Sequence, residues 1–403
     1  MAHLATNQKG TIVLTYAQDY LPQLRSYQDE LLQRLELLVN IDSGTGQREG
    51  IDNIITHLQQ WLSASGFSVE LHNAAQYGHN LVATRRGNGH ARLLIVGHID
   101  TVYKPGAASV QPYYVQDGLA YGPGVIDMKS GVLMGIYALR VLIEAGFEQY
   151  GELTIFINND DETGSLGSAP FLRQISRQVD AALVLEPSRS AEIITNARKG
   201  ADRYILEVQG IPAHSGAEPQ RGRSAVIELA HKMIAIHSLN TMFRGVTFNV
   251  TRISSSEQLN VVPDMAHCHI SVRAFDEEGL DQAAAALEAI RTGCSIPGTR
   301  TTLARTRGRT PYKATDGITR LVEMARTEGK SLGLQLIAES KGGVSDANIL
   351  AEVGIPALDS LGPVGGGMHD LHREYLRVES LPLRGALLAG LIHRLCLSES
   401  TGE

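Results

Sequence analysis

Short apolar runs that alternate with helical segments place the strongest limit on the fold of this 403-residue chain. The runs RLLIVGHI, LTIFIN and AALVLE are apolar almost throughout, and a helical segment over residues 129–145 separates the first two. Strands of this kind are buried on both faces, as in sheets that helices cover on each side. The alternation therefore predicts an α/β domain with functional residues in the loops that follow its strands.

The pattern changes from about residue 199 to residue 310. Alternating apolar residues such as Tyr204 and Leu206 predict strands there, and longer apolar periods predict two helices. The elements follow in the order β-α-β-β-α-β, which is typical of a ferredoxin-like unit. We therefore predict a catalytic α/β domain made of residues 1–198 and 311–403, with an α+β domain inserted at residues 199–310.

Charge and cysteine content exclude several classes of protein. A formal net charge of −7 and a pI near 6.1 give no electrostatic reason to expect nucleic acid or an anionic membrane as a partner. The chain has three cysteines, widely spaced, which argues against a disulfide framework or a cysteine-based zinc site. No signal peptide pattern is visible at the N-terminus. We expect a cytoplasmic protein with neither a membrane nor a nucleic-acid partner.

Three adjacent acids, Asp160, Asp161 and Glu162, occur in the stretch NNDDETGS directly after an apolar run. Carboxylates at the end of a buried strand repel one another and are costly to desolvate. A positive partner is therefore expected opposite them.

The stretch VGHIDTVY places His98 and Asp100 just past another apolar run. Residues two apart in a strand face the same side, so His98 could bind a metal through one ring nitrogen while Asp100 supports the ring. The alternative is a histidine at a strand end that is simply hydrogen-bonded to an aspartate in a turn.

Asp127 lies in YGPGVIDMKSG, immediately before the predicted helix. It could cap that helix without any further role. Beside His98, however, its two oxygens could bridge two cations about 3.5 to 4 Å apart, as in co-catalytic hydrolases.

Two more candidate ligands follow a strand and a glycine-rich turn. Glu186 ends the run LVLE, and His369 lies in GPVGGGMHD, with His372 and Glu374 just beyond it as supporting or solvated residues. Singly, each has a structural explanation as an edge carboxylate or a loop histidine. With the candidates above they furnish two histidines and three carboxylates, a ligand set suited to zinc with open positions for water.

In order and spacing, GHIDTV, GPGVIDMKSG, DDETGS, VLEP and GPVGGGMHDLHREYL resemble the di-zinc metallopeptidase and aminoacylase family. This family includes glutamate carboxypeptidase, acetylornithine deacetylase and succinyl-diaminopimelate desuccinylase. The resemblance implies a mixed-sheet, zinc-exopeptidase-like catalytic domain, and an inserted lid that dimerises, hence a homodimer. It also implies metal-dependent hydrolysis of the amide bond of N-acyl amino acids or of small peptides with a free C-terminal carboxylate.

The same resemblance assigns the metal ligands. His98, Asp127 and Glu186 would bind one zinc, and Asp127, Glu162 and His369 would bind the other, so that Asp127 bridges. Manganese or cobalt would be alternatives, because carboxylate-rich sites accept several cations.

One position departs from the family motif. Where the family has Asp-Glu-Glu-x-Gly, with the first Glu as general base, this chain has Asp161. An aspartate ends one methylene sooner, which retracts the carboxylate by roughly 1.5 Å, and a misplacement of about 1 Å can cost on the order of 100-fold in rate. Asp161 could still act as the base. Alternatively, the position was altered, the reaction differs, for example amide formation, or the protein is a hydrolytically impaired metal-binding module.

Substrate contacts are also implied by the resemblance. His214 in GIPAHSG matches a residue that enters the partner subunit's site and polarises the scissile carbonyl. Asn260 in LNVVPD would contact substrate, and Arg273 would hold a substrate carboxylate unless it is a surface strand residue. Gly343 and Ser345 in KGGVSDAN would form a turn that faces the substrate, or a simple turn with a helix cap.

Overall fold

The computed structural model of the protein describes residues 3–6 and 12–398. The chain folds into two compact units. Unit 1 comprises Met1–Asn196, Ala314–Glu339 and Ser345–Glu403, and unit 2 comprises Ala197–Lys313 and Ser340–Val344. Each unit has its own hydrophobic core, so each buries its apolar side chains independently.

The elements are numbered along the chain. The helices are α1 (Ala17–Ser26), α2 (Gln28–Val39), α3 (Arg48–Ala64), α4 (Ala107–Val110), α5 (Ser130–Glu144), α6 (Ala169–Ser176), α7 (Ala225–Ser238), α8 (Glu277–Thr292), α9 (Asp316–Ser331), α10 (Ala347–Glu352) and α11 (Ser380–Ser398). The strands are β1 (His3–Thr6), β2 (Ile12–Thr15), β3 (Ser68–Asn73), β4 (His79–Arg86), β5 (Arg92–His98), β6 (Tyr114–Gln116), β7 (Leu119–Tyr121), β8 (Glu152–Asn158), β9 (Ala181–Val184), β10 (Ile193–Arg198), β11 (Gly200–Gln209), β12 (Thr247–Ser255), β13 (Met265–Ala274), β14 (Arg300–Arg309), β15 (Ile337–Lys341), β16 (Ala357–Leu358), β17 (Gly365–Gly366) and β18 (Tyr375–Arg377).

The main sheet of unit 1 has six strands in the order β16-β9-β5-β8-β4-β3. Strands β16, β9, β5 and β8 run parallel to one another, whereas β4 is antiparallel to both β8 and β3. Strands β5 and β8 are buried at every position except the first, as their apolar sequences require. The prediction of an α/β domain with a mixed sheet is confirmed.

A smaller antiparallel sheet in unit 1 has the order β17-β18-β7-β6. Tyr375 of β18 lies opposite Gly366 on one side and Tyr121 on the other. The sheet therefore holds the glycine-rich loop that contains His369 next to the loop that leads to Asp127.

Helix α11 is part of the core of unit 1. By length and composition it could cross a membrane, with a mean hydropathy of 1.2 over an 18-residue window, but 78% of that window is buried inside the protein. It packs against α1, α5 and α9. Its apolar character is accounted for by this packing.

Unit 2 contains a four-stranded sheet in the order β12-β13-β11-β14, with α7 and α8 between the strands along the chain. This is the predicted β-α-β-β-α-β order. Burial alternates along β11, where Tyr204, Leu206 and Val208 enter the core of the unit. The side chains of Ser224 and Asp276 cap the two helices.

Besides residues 197–198 and 311–313 at the domain boundaries, one separate segment lies outside the domain to which the sequence pattern assigned it. Residues Ser340–Val344 were predicted to belong to the catalytic domain but group with unit 2. The N–H of Lys199 donates to the carbonyl of Lys341 at 3.1 Å, and the guanidinium of Arg273 donates to the carbonyl of Gly342 at 3.0 Å. These long-range bonds, which no local pattern reveals, hold the segment to unit 2.

Candidate metal centre and substrate-binding residues

Three neighbouring parallel strands bring the candidate ligands to one edge of the main sheet. His98 is the last residue of β5 and lies opposite Asn158, the last residue of β8. Strand β9, the other neighbour of β5, ends two residues before Glu186. Because the carboxyl ends of parallel strands share an edge, residues that are distant in the sequence converge here.

His98 is buried and is held by carboxylates on both sides of its ring. Its Nδ1 lies 3.1 Å from the carbonyl oxygen of Asp100 and 3.4 Å from the Oδ1 of that residue. Its Nε2 lies 3.2 Å from Oδ1 of Asp127 and 3.9 Å from Oε1 of Glu186. The geometry leaves Nε2 facing the two carboxylates with which it was predicted to share a metal.

Asp100 is fully buried and organises the acid stretch. Its Oδ1 accepts the N–H of Asp161 at 3.1 Å, and its Oδ2 accepts the N–H of Glu162 at 3.1 Å. The hydroxyl of Thr45 donates to the same Oδ2 at 2.7 Å. Asp100 therefore sets the path of the backbone that carries the two acids, in addition to contacting His98.

Asp127 lies between the two histidines. Its Oδ1 faces Nε2 of His98, and its Oδ2 lies 3.4 Å from Nε2 of His369. The preceding Gly124 has φ of +71°, and a Cβ on it would come within 2.6 Å of Thr101, so this turn requires glycine.

His369 approaches the site from a loop and has φ of +67°, an uncommon conformation for a non-glycine residue. Its Nε2 lies 3.5 Å from Oε2 of Glu162. The side chain of His369 is 58% exposed, whereas that of Asp127 is 11% exposed. The centre is thus closed on the side of His98 and open on the side of His369.

Two groups of potential ligand atoms result. In the first group, one atom of each residue lies within 4.8 Å of the others, and the residues are His98, Asp161 and Glu186. The second group meets the same condition and consists of Asp127, Glu162 and His369. Nitrogen and carboxylate oxygen donors at this separation suit zinc, manganese or cobalt, so the donor set fits a pair of divalent cations.

The pKa shifts of His98 and Glu162 also favour a site for divalent cations. Burial would lower the pKa of His98, but hydrogen bonds to Asp100 and Asp127 raise it well above the usual value. Burial raises the pKa of Glu162, and the nearby charge of Asp127 adds to this effect. Carboxylates outnumber histidines in the cluster, which is the condition under which a site gains most from external cations.

Asp161, which the sequence resemblance matches to a general base, contributes a carboxylate oxygen to the first of these groups. The hydroxyl of Ser165 donates to its Oδ1 at 3.4 Å. The shorter side chain therefore still reaches the vicinity of His98 and Glu186, within the 4.8 Å given above.

In unit 2, His214 and Asn260 lie on neighbouring segments. His214 pairs with Val261 in an isolated antiparallel bridge, and the N–H of Ser215 donates to the carbonyl of Asn260 at 3.0 Å. The Nδ1 of His214 accepts the N–H groups of Gly216 and Ala217, each at 3.1 Å. An accepting Nδ1 places the proton of a neutral ring on Nε2, which can then donate, and the residue is exposed.

The other predicted substrate contacts fall into two places. In unit 2, Arg273 donates to the carbonyl of Gly342, and the carbonyl of the adjacent Gly343 accepts from Arg198 at 3.2 Å. In unit 1, Ser345 is 1% exposed and its hydroxyl donates to Asp359 at 2.7 Å. The hydroxyl of Ser345 therefore already has a buried partner.

The sequence pattern gave no role to Thr45 or Tyr103 and left Glu374 as a supporting or solvated residue. All three contact the centre or its loops: Thr45 bonds to Asp100, and Tyr103 donates to Glu374 at 2.6 Å. The only signal in the sequence was the position of Tyr103 and Glu374 next to motif residues, which does not distinguish a buried side chain from a solvated one.

Residues 94–394 match the model of peptidase family M20/M25/M40. The chain belongs to this family. The M20/M25/M40 match contains all five candidate metal ligands, from His98 to His369. It also contains the part of the chain that forms unit 2.

Individual relatives agree with the M20/M25/M40 assignment. Carboxypeptidase G2 of Pseudomonas sp. (strain RS-16) is 31% identical over 369 residues, which cover 91% of this chain and 89% of that protein. Succinyl-diaminopimelate desuccinylase of Dechloromonas aromatica (strain RCB) is 25% identical over 389 residues, 91% of this chain and 99% of that protein. The structure of a tripeptidase from Staphylococcus aureus subsp. aureus Mu50 has the same fold, with a TM-score of 0.81 at 23% identity over 92% of this chain and 99% of that one.

Proposed function

We propose that this protein hydrolyses the amide bond of N-acyl amino acids or of small peptides with a free C-terminal carboxylate, with the help of two divalent metal ions. The observation that carries the proposal is the convergence of two histidines and four carboxylates at one edge of the main sheet. The family membership and the names of the relatives, a carboxypeptidase and a desuccinylase, support the same reaction class.

The residues that would hold the metals are those of the two ligand groups. His98 and Glu186 would hold one ion, Glu162 and His369 would hold the other, and Asp127, which faces both histidines, would serve both. Asp161 of the first group is kept for proton transfer. We propose zinc, with manganese or cobalt as substitutes. When bound, the ions would supply Lewis acidity for the scissile carbonyl and compensate the buried negative charge.

Asp161 is the proposed general base. Its carboxylate would take a proton from the attacking water as the new carbon–oxygen bond forms, and return that proton to the leaving nitrogen as the carbon–nitrogen bond breaks. Asp100 accepts hydrogen bonds from the N–H groups of Asp161 and Glu162, and these bonds keep the two acids in place during these steps. The alternative of an impaired binding module has no observation in its favour beyond the substitution itself.

His214, Asn260 and Arg273 are the proposed substrate contacts of unit 2. The Nε2–H of His214 can donate to the oxyanion that develops on the scissile carbonyl. Arg273 can hold the substrate carboxylate through its guanidinium. We further propose a cytoplasmic homodimer in which His214 serves the site of the second copy, as the family resemblance implies.

The test combines metal analysis with a substrate panel. The purified protein would be assayed for metal content and for release of free amine from N-acyl amino acids, N-succinyl amino acids, dipeptides and tripeptides. We expect about two metal ions per chain and turnover of at least one class with a free carboxylate, but not of the matching carboxamides. Two bound metals without turnover of any member would favour the binding module instead.

A further inference from the structure

Glu374 lies between His369 and β18 and is 1% exposed. Its carboxylate accepts four hydrogen bonds from groups of unit 1. Oε2 accepts the hydroxyl of Tyr103 at 2.6 Å and the N–H of Gly124 at 3.1 Å. Oε1 accepts the N–H groups of Ile126 at 3.0 Å and Asp127 at 3.2 Å. A single side chain thus accepts hydrogen bonds from three backbone amides of one loop and from one tyrosine hydroxyl.

We propose that Glu374 is a positioning residue that fixes the backbone of Asp127, and through it the carboxylate that the two metal ions would share. The inference rests on the proposed function, because it gives Glu374 its role within a metal centre. It adds a residue that none of the candidate ligand or substrate assignments includes.

The loop that carries Asp127 needs such an acceptor. Gly124 has a left-handed backbone, and Asp127 itself has φ of −116° and ψ of 92°, so this turn does not continue into α5 as a regular helix. Its buried N–H groups must find partners outside a helix, and an unsatisfied buried amide costs about 1 to 3 kcal/mol. The carboxylate of Glu374 accepts from three of them at once, at distances of 3.0 to 3.2 Å.

Glu374 also links three motifs of the site. Tyr103 follows the stretch that carries His98, Gly124 and Asp127 belong to the glycine-rich turn, and Glu374 follows His369 by five residues. The register of Tyr375 with Tyr121 keeps the last two motifs side by side. The distance of 3.4 Å between Nε2 of His369 and Oδ2 of Asp127 is therefore set in part by this carboxylate.

The chain offers a matched control. Glu328 is also fully buried, and its carboxylate accepts the N–H groups of Tyr16 at 2.9 Å and Ala17 at 2.8 Å and the Nε–H of Arg394 at 2.7 Å. It resembles Glu374 in burial and in bonding to backbone amides. It contacts none of the candidate ligands, so its loss tests the effect of removing a buried carboxylate alone.

The experiment compares Glu374→Gln, Glu374→Asp and Glu328→Gln with the wild-type holoenzyme. Glutamine keeps the size of the side chain but replaces one accepting oxygen with an NH₂ group, which cannot accept from the N–H donors. Zinc affinity would be measured by competition with a chelating dye, and hydrogen exchange would be followed in peptides that span Gly124 to Asp127. We expect Glu374→Gln to weaken zinc binding by about 10- to 100-fold and to deprotect these amides. Glu374→Asp should recover part of both, and Glu328→Gln should lower the melting temperature without changing zinc affinity.

Wild-type zinc affinity together with protected amides in Glu374→Gln would overturn the inference. So would an equal loss of zinc affinity in Glu374→Gln and Glu328→Gln, because both carboxylates would then act only on global stability. A wild-type protein that binds no zinc, manganese or cobalt would instead refute the proposed metal centre, and the inference with it.

Discussion

Units 1 and 2 both bury carboxylates, but they surround them with different groups. In unit 2 the side chain of Glu228 forms an ion pair with Lys232 at 3.1 Å and accepts the N–H groups of Ser295 and Ile296. Lys232 in turn donates to the carbonyls of Ile290 and of Gly293. Both charges are buried, and each has partners within the unit.

The acidic centre of unit 1 has a different composition. Its carboxylates converge on His98 and His369, whose pKa values rise because they face so much negative charge. The comparison shows that this chain can compensate a buried charge with its own residues, as Lys232 does for Glu228. Where four carboxylates converge on two histidines, we expect bound divalent cations to relieve the repulsion among the carboxylates.

Metal removal should produce the largest effect and separate the two units most clearly. We expect a chelator to lower amide hydrolysis by at least about 1,000-fold, because the several kcal/mol of charge stabilisation from divalent ions is lost. Added zinc should restore the rate. Hydrogen exchange should accelerate around His98 and Asp127 but not around Glu228. An equal acceleration in both units would contradict the contrast between them.

Asp161→Asn tests the proton transfer within the acidic centre. Asparagine has a similar shape but cannot accept the proton, so we expect kcat to fall by about 100- to 10,000-fold with metal content unchanged. Asp180→Asn, a change of the same chemistry at the exposed start of β9, serves as the control.

Asp161→Glu then asks whether the shorter side chain limits the reaction. A higher rate would mean that Asp161 is an impaired base, and a lower rate would mean that the site is adapted to aspartate. Unchanged activity in Asp161→Asn would remove Asp161 from the mechanism.

Glu228→Gln probes the internally balanced pair of unit 2. It leaves the charge of Lys232 buried without its partner, so we expect the free energy of unfolding to fall by about 3 kcal/mol. Because Glu228 is not part of the acidic centre, kcat per folded molecule should stay at the wild-type value. Chemical denaturation and steady-state kinetics would measure both. Glu278→Gln on the exposed face of α8 should change stability by less than about 0.5 kcal/mol.

The smallest effect concerns His393, a half-buried titratable group in unit 1. Burial lowers its pKa to about 4, while Asp19 opposes and Arg394 assists the shift. Its ring stacks on Tyr16, and its Nδ1 lies 2.6 Å from the hydroxyl of Tyr20. The folded protein thus holds this histidine neutral at a pH where the unfolded chain protonates it.

Since the unfolded state binds more protons between pH 6.5 and 4, stability should be complete above about pH 6.5 and fall as the pH drops towards 4. After allowance for partial solvent exposure, we expect a loss of about 1 to 2 kcal/mol between pH 7 and pH 5. Urea unfolding at the two pH values would measure it. His393→Asn should lack this increment, and an identical pH dependence in the variant would assign the effect to other groups.

Much of the fold followed from local pattern. The alternation of apolar runs and helices predicted the α/β domain, and the family resemblance implied its mixed sheet. The β-α-β-β-α-β order of the insertion was also confirmed, because period and burial are linked within each element. Helix α11 was not predicted, since an apolar helix without a polar face carries no marked period.

The sequence by itself determined which residues could carry the chemistry. The two histidines and the acids follow apolar runs or glycine-rich turns, where the ends of strands are expected. Only the tertiary structure decided that Asp127 faces both histidines, that Ser345 is turned towards Asp359, and that Glu374 binds the loop of Asp127. The physical reason is that these contacts depend on strand order and register across the whole chain. Local periodicity fixes how an element is buried, but not which distant element lies beside it.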